Sequence, residues 1–201
     1  MPESKLKGRR ICLFGGTFDP IHCAHLRIAE EAVRHFHLEK VLFVPAGTPP
    51  HKTAQTPYHD RFEMVAIACR PDPTFEASRI EEHSKQSYTI DTVRAFRPTL
   101  VRHDRLYFLI GADAFDEIES WKDWRELIQL IEFIVVTRPG GTYKIPEGAT
   151  VQRLEGLELP VSSSSVRARL EAGEPTPEIP AEVRAYIEAR GLYRLERAPT
   201  A

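Results

Sequence analysis

The sequence predicts an α/β protein built on an open parallel sheet with helices on both faces. Short apolar runs alternate along the chain with longer segments of helical periodicity. Several of those runs stop at Gly or Pro, where a strand would leave a sheet. A length of 201 residues gives one domain room for a sizeable core.

Ile11-Cys12-Leu13-Phe14 is the first apolar run, closed by Gly15-Gly16, and its length suits a buried strand. Leu26, Ile28, Ala29, Ala32, Val33 and Phe36 then recur at helical spacing, in a helix that starts near Ala24. Val41–Val44 is the second strand, stopped by Pro45. A strand, a helix and another strand in this order make the unit from which parallel sheets are assembled. Residues 46–57, rich in Gly, Pro and Thr, are expected as a surface loop. A helix over 58–69, a strand near 74–77 and a helix over 89–96 follow. Arg105–Ile110 is a strand ended by Gly111. One or two short helices holding both tryptophans are expected within 114–130. Phe133–Thr137 is a strand before the Pro139-Gly140-Gly141 turn, and a weaker strand lies near 151–154. Ser162–Ser165 should precede a helix over 166–172. A proline-rich break over 173–180 leads to a last helix over 181–190, capped by Gly191. The whole is a Rossmann-like sheet in a single domain with a small C-terminal helical part.

Composition narrows the function classes. Lys and Arg number 27 against 29 Asp and Glu, a net charge of −2. That excludes a general polyanion binder, and no basic stripe suggests nucleic acid. Phosphates would have to be met by locally placed groups. The three cysteines, Cys12, Cys23 and Cys69, show no CxxC spacing and are expected to be reduced thiols in a cytoplasmic protein. No apolar run is long enough to span a bilayer, so no membrane association is expected.

The segment Gly15-Gly16-Thr17-Phe18-Asp19-Pro20-Ile21-His22-Cys23-Ala24-His25 joins the first strand to the first helix. In an open parallel sheet this is where ligands bind. The glycines admit close approach of a ligand to the backbone, and the helix start offers free N–H groups and a positive dipole end to phosphate. His22 and His25, three apart, can face one site. Taken alone the pair could equally be a satisfied surface pair or two metal ligands, although no further ligands for zinc stand out. The string is neither a GxxxxGKS/T loop nor a GxGxxG fingerprint.

As a whole the string resembles the GGTFDPxHxGH signature of nicotinate-nucleotide adenylyltransferases, within the HxGH nucleotidyltransferases. Ala24 stands where that family has glycine, a change expected to be tolerated in a helical backbone. Pro49-Pro50-His51-Lys52 resembles the family's PPHK/R loop, Ser87-Tyr88-Thr89 with Asp91-Thr92 its SYTxxT segment, and Ile110-Gly111-Ala112-Asp113 its IGxD. Trp121 and Trp124 fall at its tryptophan helix. Val161 to Arg167 resembles ISSTxIR, with Ser164 in place of threonine, and Val183 to Tyr193 resembles the closing VxxYI…GLY.

The resemblance implies one nucleotidyltransferase domain over 1–201, with residues 1–9 as a mobile extension and 194–201 as a mobile tail. It implies transfer of the adenylyl group of ATP to nicotinate mononucleotide, with release of pyrophosphate, on a route to NAD. The substrate's own phosphate would be the nucleophile, so the protein's task is positioning and charge neutralisation. His22 and His25 would bond the ATP phosphates, and Arg167 would reach the β- and γ-phosphates. Gly15, Gly16, Thr17, Phe18, Lys52, Gly111, Asp113, Arg138, Ser162, Ser163 and Ser164 would complete the ATP site. Serines before a helix are otherwise plain caps, and Arg167, Lys52 and Arg138 otherwise plain surface cations. Asp113 would take ribose hydroxyls or cap a helix. Trp121 would stack on the pyridine ring, where a bare sequence suggests a core tryptophan. Backbone amides near Thr89 and Lys122 would receive the nicotinate carboxylate. Magnesium would arrive with ATP and keep most of its waters, with no protein metal site; Asp19 is expected to hold the loop together instead. Homo-oligomers are compatible with all of this. A sister transferase acting on phosphopantetheine or a sugar or polyol phosphate, and a catalytically idle nucleotide-binding protein, are the competing readings.

Overall fold

Alternating side chains on the central strand set the architecture. In β1 (Arg10–Gly16), Cys12 and Phe14 point into one hydrophobic core while Ile11 and Leu13 point into another, all four at most 9% exposed. A strand buried on both faces belongs in the middle of a layered α/β sheet. The computed structural model describes residues 8–49, 54–155 and 161–194. Its remaining strands are β2 (Lys40–Pro45), β3 (Phe75–Ala77), β4 (Arg105–Gly111), β5 (Glu132–Thr137) and β6 (Val151–Glu155). All pairings are parallel, in the order β3-β2-β1-β4-β5-β6. The order turns back between β1 and β4, which opens a crevice at their carboxyl ends.

Helices cover both faces. Helices α1 (Cys23–Phe36), α2 (Tyr58–Cys69), α6 (Ser163–Ala172) and α7 (Ala181–Arg190) pack on the face of Cys12, Phe14, Phe43 and Ile134. Helices α3 (Thr89–Phe96), α4 (Ala112–Asp116) and α5 (Trp124–Leu130) pack on the face of Leu13, Leu42, Phe108 and Phe133. The sheet and both helix layers form a single domain, as the sequence predicts.

Two elements differ from expectation. Helix α6 begins at Ser163 rather than at Val166. Ser162 is its N-cap: its hydroxyl accepts the Ser165 N–H at 3.2 Å, and the Ser165 hydroxyl faces the Ser162 N–H at 3.3 Å. That reciprocal pair turns the serine run into the first helical turn instead of a lead-in. The stretch around the tryptophans is broken in the middle. A 3-10 turn over Ile118–Ser120 ends at Trp121, and Asp123 adopts φ +49° before α5 starts at Trp124. Trp121 therefore sits in a bend between the 3-10 turn and α5.

At the start of the described chain, Arg9 is fixed. Its main-chain N–H donates to Asp104 at 2.8 Å and its Nη2 at 2.6 Å, which leads the chain into β1. Residues 1–7 and 195–201 of the expected extension and tail lie outside the described residues, as do Pro50, His51 and Lys52 of the PPHK/R-like loop.

Arg61, in α2, is 1% exposed. It donates to three main-chain carbonyls, of Thr56, Thr17 and Gly47, at 3.0, 2.8 and 3.4 Å. It thereby staples α2 to the two loops that leave β1 and β2. Arg61→Met keeps the apolar stem but strips these carbonyls of their donors, so unfolding free energy should fall on the order of 3 kcal/mol. Urea denaturation measures this: the midpoint should drop with the slope unchanged, and an unshifted midpoint would count against the staple.

Candidate active site

The site is assembled on the loop between β1 and α1. Phe18 takes φ +49°, and its ring, 2% exposed, lies over Gly16. A Cβ on Gly16 would stand 2.9 Å from that ring, and one on Gly15 would stand 3.2 Å from Phe108. A Cβ at either position would press on the end of an aromatic ring, so both glycines suit the local packing. Thr17 gives its carbonyl to Arg61. Asp19, 2% exposed, accepts the N–H groups of Gln55 and Thr56 on one oxygen and the hydroxyl of Tyr193 at 2.6 Å on the other. Asp19 holds the loop together, as expected from its place in the motif.

His22 is the N-cap of α1, and its ring stacks on His25 with centroids 3.8 Å apart and planes 24° apart. The His22 main-chain N–H donates to His25 Nδ1 at 3.2 Å. In neutral His25 the proton must therefore sit on Nε2, which becomes a directional donor. The His25 ring is also walled by Phe18 at 5.0 Å and Phe14 at 6.1 Å. Burial holds His22 down at about 4, with Glu178 pulling weakly the other way. Burial, with His22 as neighbour, holds His25 well below the ordinary imidazole range. Both rings are uncharged near neutral pH. Ala24 occupies the second helical position of α1, where a methyl is at home. Cys23 lies between the histidines, and burial pushes its thiol up, away from nucleophilic use.

The start of α6 meets the same loop. Arg167 Nη1 donates to the Asp19 carbonyl at 2.6 Å, while its buried Nε has no partner among the described residues. The Ser163 hydroxyl donates to the Pro20 carbonyl at 3.0 Å. Ser162 is spent on its cap, and Ser164 is exposed with a free hydroxyl. His22, His25, Arg167 and Ser162–Ser164 are thus brought together, as the motif requires.

Across the crevice, Gly111 is the N-cap of α4 and Asp113 lies in its first turn, exposed. Asp113 caps nothing, because the cap position belongs to Gly111. Arg138 follows β5, exposed. Thr89 is the first residue of α3. Trp121, half-buried, packs edge-on against Phe108 at 6.3 Å, beside Gly15. Lys122 spends its ammonium on Asp91 at 2.8 Å and lies 4.8 Å from the Tyr88 ring. This links the start of α3 to the tryptophan bend, so Thr89, Trp121 and Lys122 share one wall. Arg61 and Glu178 take part without having been singled out, and Tyr193, marked in the sequence only by the GLY motif and given no role there, takes part with them. An arginine set among Phe62, Met64 and Val65 on α2 was the one signal that could have drawn attention to Arg61.

Among the described residues no three His, Cys, Asp or Glu gather as metal ligands, and no helix is long and apolar enough to cross a membrane. Two open clefts lie elsewhere, one beside α5 at Glu119 and Lys144 and one beside α7 at Leu170 and Arg184; neither includes the histidines. What marks the site is its converging donors.

Comparison with known proteins shows the family. Residues 13–169 match the cytidylyltransferase-like family model. The "Probable nicotinate-nucleotide adenylyltransferase" of Solibacter usitatus is 50% identical over 186 residues, covering 92% of this chain and 99% of that protein. Its namesake in Thermus thermophilus is 42% identical, covering 92% and 100%. In fold, the chain is similar to Plasmodium falciparum nicotinic acid mononucleotide adenylyltransferase complexed with NaAD. The TM-score is 0.76 at 24% identity, over 92% of this chain and 97% of the other.

The neutral imidazoles have a consequence for stability. Each would bind a proton near 6.5 when unfolded but resists it when folded. Their contribution is complete above the unfolded value and is lost as pH falls toward the folded one. For His22 the loss is about 3 kcal/mol between roughly pH 6.5 and 4. Urea unfolding across that range should show His22→Asn flattening the acid-side slope relative to the parent; parallel slopes would contradict burial of a neutral ring.

Proposed function

The chain belongs to the nicotinate-nucleotide adenylyltransferases of the cytidylyltransferase-like family, and from that premise we propose how its residues transfer the adenylyl group of ATP to nicotinate mononucleotide. The reaction yields nicotinate adenine dinucleotide and pyrophosphate, a step in making NAD. The observation that carries the mechanism is the convergence of His22, His25 and the start of α6, joined through the carbonyls of Asp19 and Pro20.

The ATP polyphosphate lies along the start of α1 and α6. His25 Nε2–H and His22 donate to it, and Arg167 turns its free donors to the β- and γ-phosphates. The first N–H groups of α6, at Ser163 and Ser164, and the Ser164 hydroxyl complete the cradle. Burial favours this use of the imidazoles, since a polyanion beside them offsets the cost of charging the rings. Charge that builds on departing pyrophosphate is met by donors already in place, which requires little reorganisation in the transition state. Gly111 and Asp113 face the ribose, and Arg138 and Lys52 supply further positive charge.

Nicotinate mononucleotide occupies the wall of Thr89, Trp121 and Lys122. The Trp121 face left open by its edge contact with Phe108 stacks on the pyridine ring. Main-chain N–H groups at Thr89 and Lys122 bind the nicotinate carboxylate and leave the amide analogue with an unmatched group. Magnesium travels with ATP. The Asp19 carboxylate is saturated by Gln55, Thr56 and Tyr193, so an ion arriving with ATP would be held mainly by the nucleotide and water. When bound it neutralises phosphate charge. The free thiols Cys12, Cys23 and Cys69 support a reducing, cytoplasmic setting.

Pyrophosphate release with magnesium-ATP and, in turn, nicotinate mononucleotide, nicotinamide mononucleotide and phosphopantetheine tests the substrate. Turnover should be strongest with the first; turnover with phosphopantetheine alone would overturn the assignment. His25→Ala should lower kcat on the order of 100-fold, and a variant with full turnover would refute its role at the phosphates. Trp121→Ala should raise KM for the mononucleotide well beyond that for ATP. Equal effects on both would argue against stacking.

A further inference from the structure

We propose that Glu178 is a positioning residue for His22: its carboxylate accepts the His22 Nδ1 proton when polyphosphate at the opposite nitrogen makes that ring cationic. The assignment rests on the phosphate role proposed for His22 and extends it to the connection between α6 and α7.

Two buried atoms motivate it. His22 Nδ1 and Glu178 Oε2 are each buried and have no hydrogen-bond partner among the described residues. Such orphans are uncommon, and each costs free energy. His22 Nδ1 has no partner among the described residues, while Glu178 Oε2 has the Arg169 guanidinium 2.8 Å away. One proton on Nδ1 satisfies both at once.

Glu178 is fixed where this can happen. Its carbonyl accepts the N–H of Cys23 at 2.7 Å, which seats it directly beside the His22 end of α1. Thr176 and Ile179 on either side are each 2% exposed, so the segment is anchored in the core. Arg169 Nη2 pairs with Glu178 Oε2 at 2.8 Å, and this contact holds the carboxyl below its ordinary range, so it is ionised. Its negative charge already bears on His22 in the resting protein.

The other groups around His22 cannot do this. His25 is stacked on the ring, and its Nδ1 is occupied by the His22 main-chain N–H. Arg167, bound to the Asp19 carbonyl, would repel a cationic ring. Cys23 is a neutral thiol, and Glu30 bears on Cys23 rather than on His22. Glu178 is the negative charge that favours protonated His22.

Glu178→Gln removes the charge while preserving size and the main-chain bond to Cys23. The readouts are the NMR titration of the His22 imidazole in protein saturated with magnesium and a non-hydrolysable ATP analogue, and the pH dependence of kcat. The His22 midpoint should fall by about one pH unit in Glu178→Gln, and the alkaline limb of kcat should move down with it. Glu178→Asp, which keeps the charge, should hold a midpoint above that of Glu178→Gln. A purely structural role would leave the midpoint unmoved. If the parent's His22 responds to the analogue and all three proteins titrate alike, the assignment is overturned while the phosphate role stands. If the parent's His22 ignores the analogue, the phosphate role fails and this assignment with it.

Discussion

The buried carboxylate of Asp19 is the tie on which the site depends. It gathers main-chain donors from Gln55 and Thr56, ahead of α2, and a hydroxyl from Tyr193, beyond α7, onto a loop of a few residues after β1. Arg61 and Arg167 grip the same loop through the carbonyls of Thr17 and Asp19. The segment that carries both imidazoles is thus fixed by contacts from distant parts of the chain, and a site held this way is preorganised before any ligand arrives.

Fixing the loop also fixes its electrostatics. His22 and His25 are pressed together among Phe14 and Phe18, where a charged ring would be poorly solvated, so both are neutral at rest. Two cations stacked at 3.8 Å would repel strongly, and a polyanion is the ligand that makes charging them favourable. The start of α6 adds donors without adding a titrating group. The chain's net charge of −2 is no obstacle, because attraction for phosphate is concentrated at this one corner.

Much of this was legible in the sequence. The apolar runs and their closing glycines gave β1, β2, β4 and β5, because buried strands in a parallel sheet read as continuous hydrophobic stretches. The motif after β1 placed the histidines, and the serine run marked the α6 corner. What escaped was set by tertiary contact. Helix α6 starts earlier than periodicity indicates because a capping pair, Ser162 with Ser165, decides its first turn. Trp121 falls between two helical pieces, extended after the 3-10 turn and ahead of the left-handed Asp123 that caps α5. Glu178 has no mark in the sequence and Tyr193 only its place in the closing motif, and their partners lie far away along the chain. Gly15 and Gly16 also lie against the ends of the Phe108 and Phe18 rings, a packing contact the sequence does not display.

The account stands most directly on the charge state of the histidine pair, and calorimetry can count it. Binding of a non-hydrolysable ATP analogue with magnesium at pH 7.5, measured in buffers of different ionisation enthalpy, reports protons taken up by the complex. Charging of His22 beside the polyphosphate would draw a proton from the buffer, so net uptake is expected, and it should shrink in a variant lacking His22. Binding with no proton uptake would mean that both rings stay neutral in the complex, which contradicts the charging of His22.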